Sequence, residues 1–157
     1  MSLDPGSKLR RPTRTARTRI GVVVSSYHGE LTQAMLASAL QELGKAGIAE
    51  VRIVPAPGVF EIPLLARELA RRKDVDAVLC FGLVLRGETT HDHWVAHGAV
   101  TGLTQATLET GKPLALGILT CAKLSQAKAR AKPKGREVAR AALDSLEALR
   151  FLRRSRG

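Results

Sequence analysis

Four short runs of aliphatic and β-branched residues, at 20–25, 50–54, 75–84 and 114–119, alternate along the chain with longer stretches in which apolar side chains recur every three or four positions. The runs Ile20-Gly-Val-Val-Val-Ser25 and Ala77-Val-Leu-Cys-Phe-Gly-Leu-Val84 are apolar at nearly every position, the pattern of strands covered on both faces. Between them, 31–45 places Leu36, Ala39, Leu40 and Leu43 on one helical stripe and closes on Gly44 and Gly47. Helical spacing returns over 60–72, where Pro63 fits the first turn, and over 92–110, which Gly111-Lys-Pro113 stops. Two further helices are expected at 122–131 and 137–152, divided by Lys132-Pro-Lys-Gly135; the second puts Val138, Ala142, Leu146 and Leu149 on one stripe. Four alternations of strand and helix predict an α/β protein, a single-domain three-layer sandwich whose four-stranded parallel sheet carries helices on both faces.

Each strand ends in a loop of chemically unusual residues: Ser26-Tyr-His-Gly-Glu30, Pro57-Gly-Val-Phe-Glu61, Arg86-Gly-Glu-Thr-Thr-His91 and Thr120-Cys121. In a parallel sheet these exits share one edge, so they describe one composite site. The third loop is the richest. It runs into a helix start, where unpaired amides and the helix dipole favour an anion, so a phosphate is the first ligand to consider. Thr90 read alone is a helix cap, and His91 is either surface decoration or a proton carrier. Tyr27 can stack on a planar ring or lid the core. Phe60 is expected to pack inward, while Glu61 can answer the helix dipole or receive ligand hydroxyls. Arg130, Lys132, Lys134 and Arg136 form a basic cluster that is either solvated surface or a phosphate clamp.

At 157 residues and 45% hydrophobic, the chain can bury one core without disulfides or metals. No apolar run approaches the roughly 20 residues of a membrane span, and a soluble cytoplasmic protein is expected. The net charge of +11 raises the question of nucleic acid, but it sits at the ends: net +5 over 1–19, +8 over 123–157 and −2 between. With aromatics at only 3%, stacking platforms are few, which leaves nonspecific polyanion attraction rather than base reading. Residues 1–18 read as a basic flexible arm, or one laid along a neighbouring subunit's sheet edge, and 19–157 as the folded domain. Cys80 and Cys121 lie 41 positions apart, a spacing that fits neither a zinc site nor a disulfide framework, and both are read as reduced thiols. A receiver domain is disfavoured because no acidic pair follows the first strand.

Five blocks, Ser25-Ser-Tyr-His-Gly29, Pro57-Gly-Val-Phe-Glu-Ile-Pro63, Gly82-Leu-Val-Leu-Arg-Gly-Glu-Thr-Thr-His91, Gly117-Ile-Leu-Thr120 and Gln126-Ala-Lys-Ala-Arg130 with Lys134-Gly135, resemble the lumazine synthase family in order and spacing over about 19–152. The resemblance implies a flavodoxin-like fold and condensation of 5-amino-6-ribitylaminopyrimidinedione with 3,4-dihydroxy-2-butanone 4-phosphate, giving 6,7-dimethyl-8-ribityllumazine. It implies no metal or organic cofactor. It further implies that Tyr27 stacks on the pyrimidinedione and that Val59, Phe60 and Glu61 hold the ribityl chain. Val84 and Leu85 would line the ring site, Glu88 and Thr89 the phosphate side, and His91 would transfer protons. Arg130 and Lys134, with Leu116 at an aromatic position of the family, would arrive from an adjacent subunit of a pentamer or a multiple of pentamers. Riboflavin synthase would be the pathway partner.

The chain also departs from the family's pattern. Asp92-His-Trp94 stands where Phe-Asp-Tyr is common, Cys121 replaces a common threonine, and Lys132-Pro-Lys-Gly135 is shorter than the loop associated with icosahedral shells. Two other readings compete: a flavodoxin-like module that binds a flavin or phosphorylated ligand without synthase activity, and an oligomeric scaffold whose basic ends hold anionic cargo.

Overall fold

In the computed structural model, which describes residues 17–156, the expected runs become four parallel strands. The order of elements is β1 (Ile20–Ser25), α1 (Gly29–Lys45), β2 (Val51–Ala56), a 3-10 turn (Val59–Glu61), α2 (Ile62–Ala70), β3 (Ala77–Leu85), α3 (His91–Thr110), β4 (Leu114–Cys121) and α4 (Leu124–Arg154). The sheet order is β2-β1-β3-β4, so the two strands that read as apolar on both sides are the two central ones. Their alternate side chains enter two cores. Val22, Val24, Leu79 and Phe81 meet α1 and α4 on one face, and Val23, Val78 and Cys80 meet α2 and α3 on the other. Burial pushes the Cys80 thiol far up, consistent with apolar filling rather than reactivity. The arm expected at 1–18 falls, but for its last two residues, outside the described residues.

The expected break at 132–135 does not occur. The two stretches merge into one helix, α4, which begins at Leu124 and carries Pro133 inside it. Proline removes one helical donor and Gly135 weakens the turn, together costing about 4 kcal/mol by intrinsic preference. Packing against α1 overrides this. Ser38 Oγ donates to the Lys132 carbonyl at 2.6 Å, and a Cβ on Gly135 would stand 2.2 Å from the Met35 carbonyl oxygen. Gly135 therefore serves close helix approach, not a loop. Eleven residues toward the other end of the stripe, Leu146 is buried, while Leu149 is only partly covered.

Two polar ties complete the frame. Lys112 Nζ donates to the carbonyls of Ala70, Arg72 and Val75 at 2.6, 2.8 and 2.6 Å, so it answers the open end of α2 from beyond the Gly111 cap of α3, whose φ is 65°. Arg140 Nε donates to Glu42 Oε1 at 2.7 Å and joins α4 to α1. The Arg140 hydrogen bond holds the Glu42 carboxyl below its usual 4.5, against the opposing effect of burial.

Two predictions follow the α1–α4 contact. Gly135→Ala lowers unfolding free energy by about 1–3 kcal/mol because rigid backbone blocks the new methyl, whereas Gly44→Ala, with open space around it, raises it by about 0.5–1 kcal/mol; urea midpoints read both. Glu42's folded pKa is depressed, so its contribution is present above pH 4.5 and is lost as pH falls through the folded value. Glu42→Gln is thus expected to be less stable than the parent at pH 7, with the gap closing under acid; a gap that persists at acid pH would contradict the ion pair.

Candidate active site

The four strand exits leave side by side. Ser25 pairs with Ala56, and Val84 and Leu85 with Thr120 and Cys121; each ladder then runs one bond further, from Ser26 N to Ala56 O at 2.8 Å and from Arg86 N to Cys121 O at 2.9 Å. At the first exit Thr32 closes the turn. Its Oγ1 donates to the Ser25 carbonyl at 2.7 Å, and the His28 carbonyl accepts the Leu31 and Thr32 amides at 3.0 and 3.2 Å. The turn puts His28 at φ 55°, ψ 43°, the one non-glycine left-handed residue among those described. That conformation costs about 1–2 kcal/mol for a residue with a Cβ, and such strain gathers at functional sites. Tyr27 does not lid the core: it is 68% exposed, its ring 4.4 Å from that of His28.

At the second exit Val59 turns inward over β3, where a Cβ on Gly82 would lie 2.7 Å from Val59 Cγ2. Glu61 folds back over the turn, its Oε2 3.1 Å from the place a Gly58 Cβ would take. Phe60 departs from expectation. Val59 and Ile62 already occupy the inward positions, so Phe60 stays 65% exposed and lays its ring edge on α3, with Cε2 3.3 Å from a Cβ built on Gly98. One turn later Gly102 receives Pro63, at 2.8 Å by the same measure. This glycine pair was not singled out from the sequence, although two glycines four apart inside a helical pattern are a signal of close packing.

The third exit, 86–90, is fully exposed and feeds α3. Thr90 offers no side-chain cap; instead Thr89 Oγ1 accepts the His91 amide at 3.3 Å. His91 is the first helical residue and is exposed, so its imidazole stands beside the outward-facing amides of the first turn. Val84 and Leu85 lead into this loop half-buried, and Glu88 is exposed within it.

One chain thus gathers Tyr27, Val59, Phe60, Glu61, Val84, Leu85, Glu88, Thr89 and His91 along a single edge. It does not bring in the other three expected residues. Leu116 lies midway along the outer strand β4, 43% exposed. Arg130 and Lys134 sit on α4, which covers the sheet face opposite α3. Arg130 Nη2 reaches Glu137 Oε2 at 3.3 Å, an exposed pair that contributes about 0–1 kcal/mol and is readily exchanged for another anion. The edge itself is an open shelf. A cavity of about 360 Å³ lies instead at the opposite end of β4, between Leu108, Pro113, Leu149 and Arg153.

The family model described as 6,7-dimethyl-8-ribityllumazine synthase matches residues 17–150. The chain is 41% identical over 141 residues to 6,7-dimethyl-8-ribityllumazine synthase 1 of Caulobacter vibrioides, covering 86% of this chain and 92% of the relative. The 6,7-dimethyl-8-ribityllumazine synthase of Thermus thermophilus is 40% identical over 149 residues, 92% and 95% of the two chains. That of Salinibacter ruber is 42% identical over 132 residues, 80% and 85%.

The left-handed turn carries its own test. His28→Val is expected to lower unfolding free energy by about 1–2 kcal/mol, whereas His28→Gly, which meets no penalty at positive φ, stays within about 0.5 kcal/mol of the parent. Equal urea midpoints for the two variants would show that the turn stores no strain.

Proposed function

We infer the reaction from one premise: the chain belongs to the 6,7-dimethyl-8-ribityllumazine synthase family. It is a transferase of riboflavin biosynthesis that condenses 5-amino-6-ribitylaminopyrimidinedione with 3,4-dihydroxy-2-butanone 4-phosphate to 6,7-dimethyl-8-ribityllumazine. A flavin- or phosphate-binding module without synthase activity is not favoured, because the match runs through all four strand exits.

We propose that the ring substrate lies against Tyr27, lined by Val84 and Leu85, with its ribityl chain held by the backbone of Val59 and Phe60 and by the Glu61 carboxylate. The observation that carries this is the convergence of all these residues on one exposed edge beside the start of α3. The phosphate of the second substrate lies toward Glu88, Thr89 and the first-turn amides of α3, where the dipole stabilises an anion. The substrate amine is itself the nucleophile, so imine formation, phosphate loss and ring closure ask the protein mainly for proton transfer and anion stabilisation. His91 transfers the protons. Holding two reactants together supplies much of the remaining acceleration.

The site is completed by a second copy. Arg130 and Lys134 clamp the phosphate, and Leu116 closes over the ring, from the adjacent subunit of a homo-oligomer, a pentamer or a multiple of pentamers. Support comes from α4 lying across the sheet from His91, and from α3, which buries only Ala99, Leu103 and Ala106 while exposing Trp94, Val100 and Leu108. Leu116 lacks a flat aromatic face, so it contributes apolar contact without ring stacking. No helix among the described residues is long and apolar enough to cross a membrane. The cytoplasm is the proposed location, and riboflavin synthase the consumer of the product.

Lumazine absorbance on mixing both substrates tests the reaction. His91→Ala is expected to lower kcat by about 10²-fold, the lower end for a general acid–base, and Arg130→Ala to raise KM for the phosphate substrate. If sites are shared between copies, co-refolding equal amounts of the two variants regenerates about a quarter of the native sites by random pairing. Activity no greater than the sum of the separate variants would place Arg130 and His91 in the same chain's site.

A further inference from the structure

Tyr27, proposed above to stack on the ring substrate, projects from the protein with 68% of its surface exposed. A side chain so placed samples several rotamers, and fixing one of them when a ligand binds costs part of the affinity. Its one aromatic neighbour among the described residues is the next residue, His28. That ring is half-buried, with its centroid 4.4 Å from that of Tyr27 and the two planes inclined by 59°.

Consecutive side chains on extended backbone point to opposite sides, so two adjacent rings meet only where the chain turns between them. Here the turn is the left-handed conformation of His28, at φ 55° and ψ 43°. Its backbone is tied down. The His28 carbonyl accepts the Leu31 and Thr32 amides, and Thr32 Oγ1 donates to the Ser25 carbonyl. His28 is therefore the fixed ring of the pair, and Tyr27 the one that leans on it. Glycine meets this φ more readily than any residue with a Cβ, so the turn alone gives no reason for an imidazole at 28. Contact with Tyr27 does.

We infer that His28 is a positioning residue for the ring substrate: its imidazole backs the Tyr27 ring and holds it in one orientation, so that the stacking platform stands ready before the pyrimidinedione arrives. The inference rests on the assignment of Tyr27 to that substrate. It gives His28 a part in binding and none in proton transfer, and that part is exerted through Tyr27.

The test compares His28→Gly, His28→Asn and His28→Phe in the full-length protein, with urea midpoints establishing that each is folded. Glycine and asparagine both tolerate positive φ but carry no ring. Each should raise KM for the pyrimidinedione about three- to tenfold, the range for ordering one side chain on binding, and leave kcat within about twofold. His28→Phe keeps a ring under a less favourable φ, so it should restore the low KM while unfolding at lower urea. Tyr27→Ala should raise the same KM, and adding His28→Gly to it should change nothing further. A second readout needs no turnover. Tyr27 is the single tyrosine, so fluorotyrosine labelling gives one fluorine resonance, expected to move toward the value of the free amino acid in the glycine and asparagine variants. An unmoved resonance, a parental KM in the folded glycine and asparagine variants, or a fall in kcat at unchanged KM would overturn the positioning role. A parental KM in Tyr27→Ala would overturn the assignment of Tyr27 and this inference with it.

Discussion

A parallel ladder admits no tight turn between partners, so every strand of this sheet but the last must be followed by a crossover that passes over one face and returns at the far end. That constraint sets the rest. It covers both faces of β1 and β3, which is why their sequences are apolar throughout, and it delivers all four carboxyl ends to one edge. It also demands room where crossovers press on strands. A Cβ on Gly21 would stand 2.6 Å from Leu69 Cδ2 of α2; between paired strands the same holds of Gly117, where a Cβ would stand 2.5 Å from Phe81 Cδ1 of β3. The open shelf is thus a by-product of how the core is built, and of its loops the exposed stretch 86–90 carries least of the load of the fold.

Much of this was legible in the sequence because the relevant signals are local and redundant. Two-sided strands, amphipathic helices and polar strand exits each repeat one pattern over several residues. What escaped was decided by contacts between distant segments. Pro133 and Gly135 read as a break, yet the Ser38 hydroxyl and the close passage of Met35 hold them in a continuous α4. Phe60 read as core, yet its neighbours Val59 and Ile62 had taken the inward positions. The left-handed His28 could not be foreseen from its own identity, since Thr32, four residues on, closes the turn that imposes it.

The candidate site divides along the same line. The residues of the strand exits are contiguous, so their type and spacing announced them. Arg130 and Lys134 stood out only as part of a basic cluster that reads either as solvated surface or as a phosphate clamp, and Leu116, in mid-strand, looks like an edge residue. Only the resemblance to a family joins them to the substrate site, and within one chain they remain across the sheet from His91 or out on its edge. A site assembled from two copies is hard to read from one sequence for a physical reason: the proximity that matters is not encoded in any intrachain contact.

The notches that Gly98 and Gly102 cut into α3 invert the usual roles in helix packing. Phe60 from the 3-10 turn and Pro63 from the first turn of α2 act as pegs, and α3 supplies the holes, so its axial position and rotation are both pinned four residues apart. His91 lies seven residues upstream of the first notch, two turns or about 10 Å along the axis. Outer-face side chains between them, such as the exposed His93, Trp94 and His97, can change without moving the helix within the subunit, because none of them locates it. Length cannot. Inserting or deleting a single residue between 91 and 98 would swing His91 by about 100° around the axis and carry the imidazole off the shelf, so this segment is permissive to substitution and closed to indels.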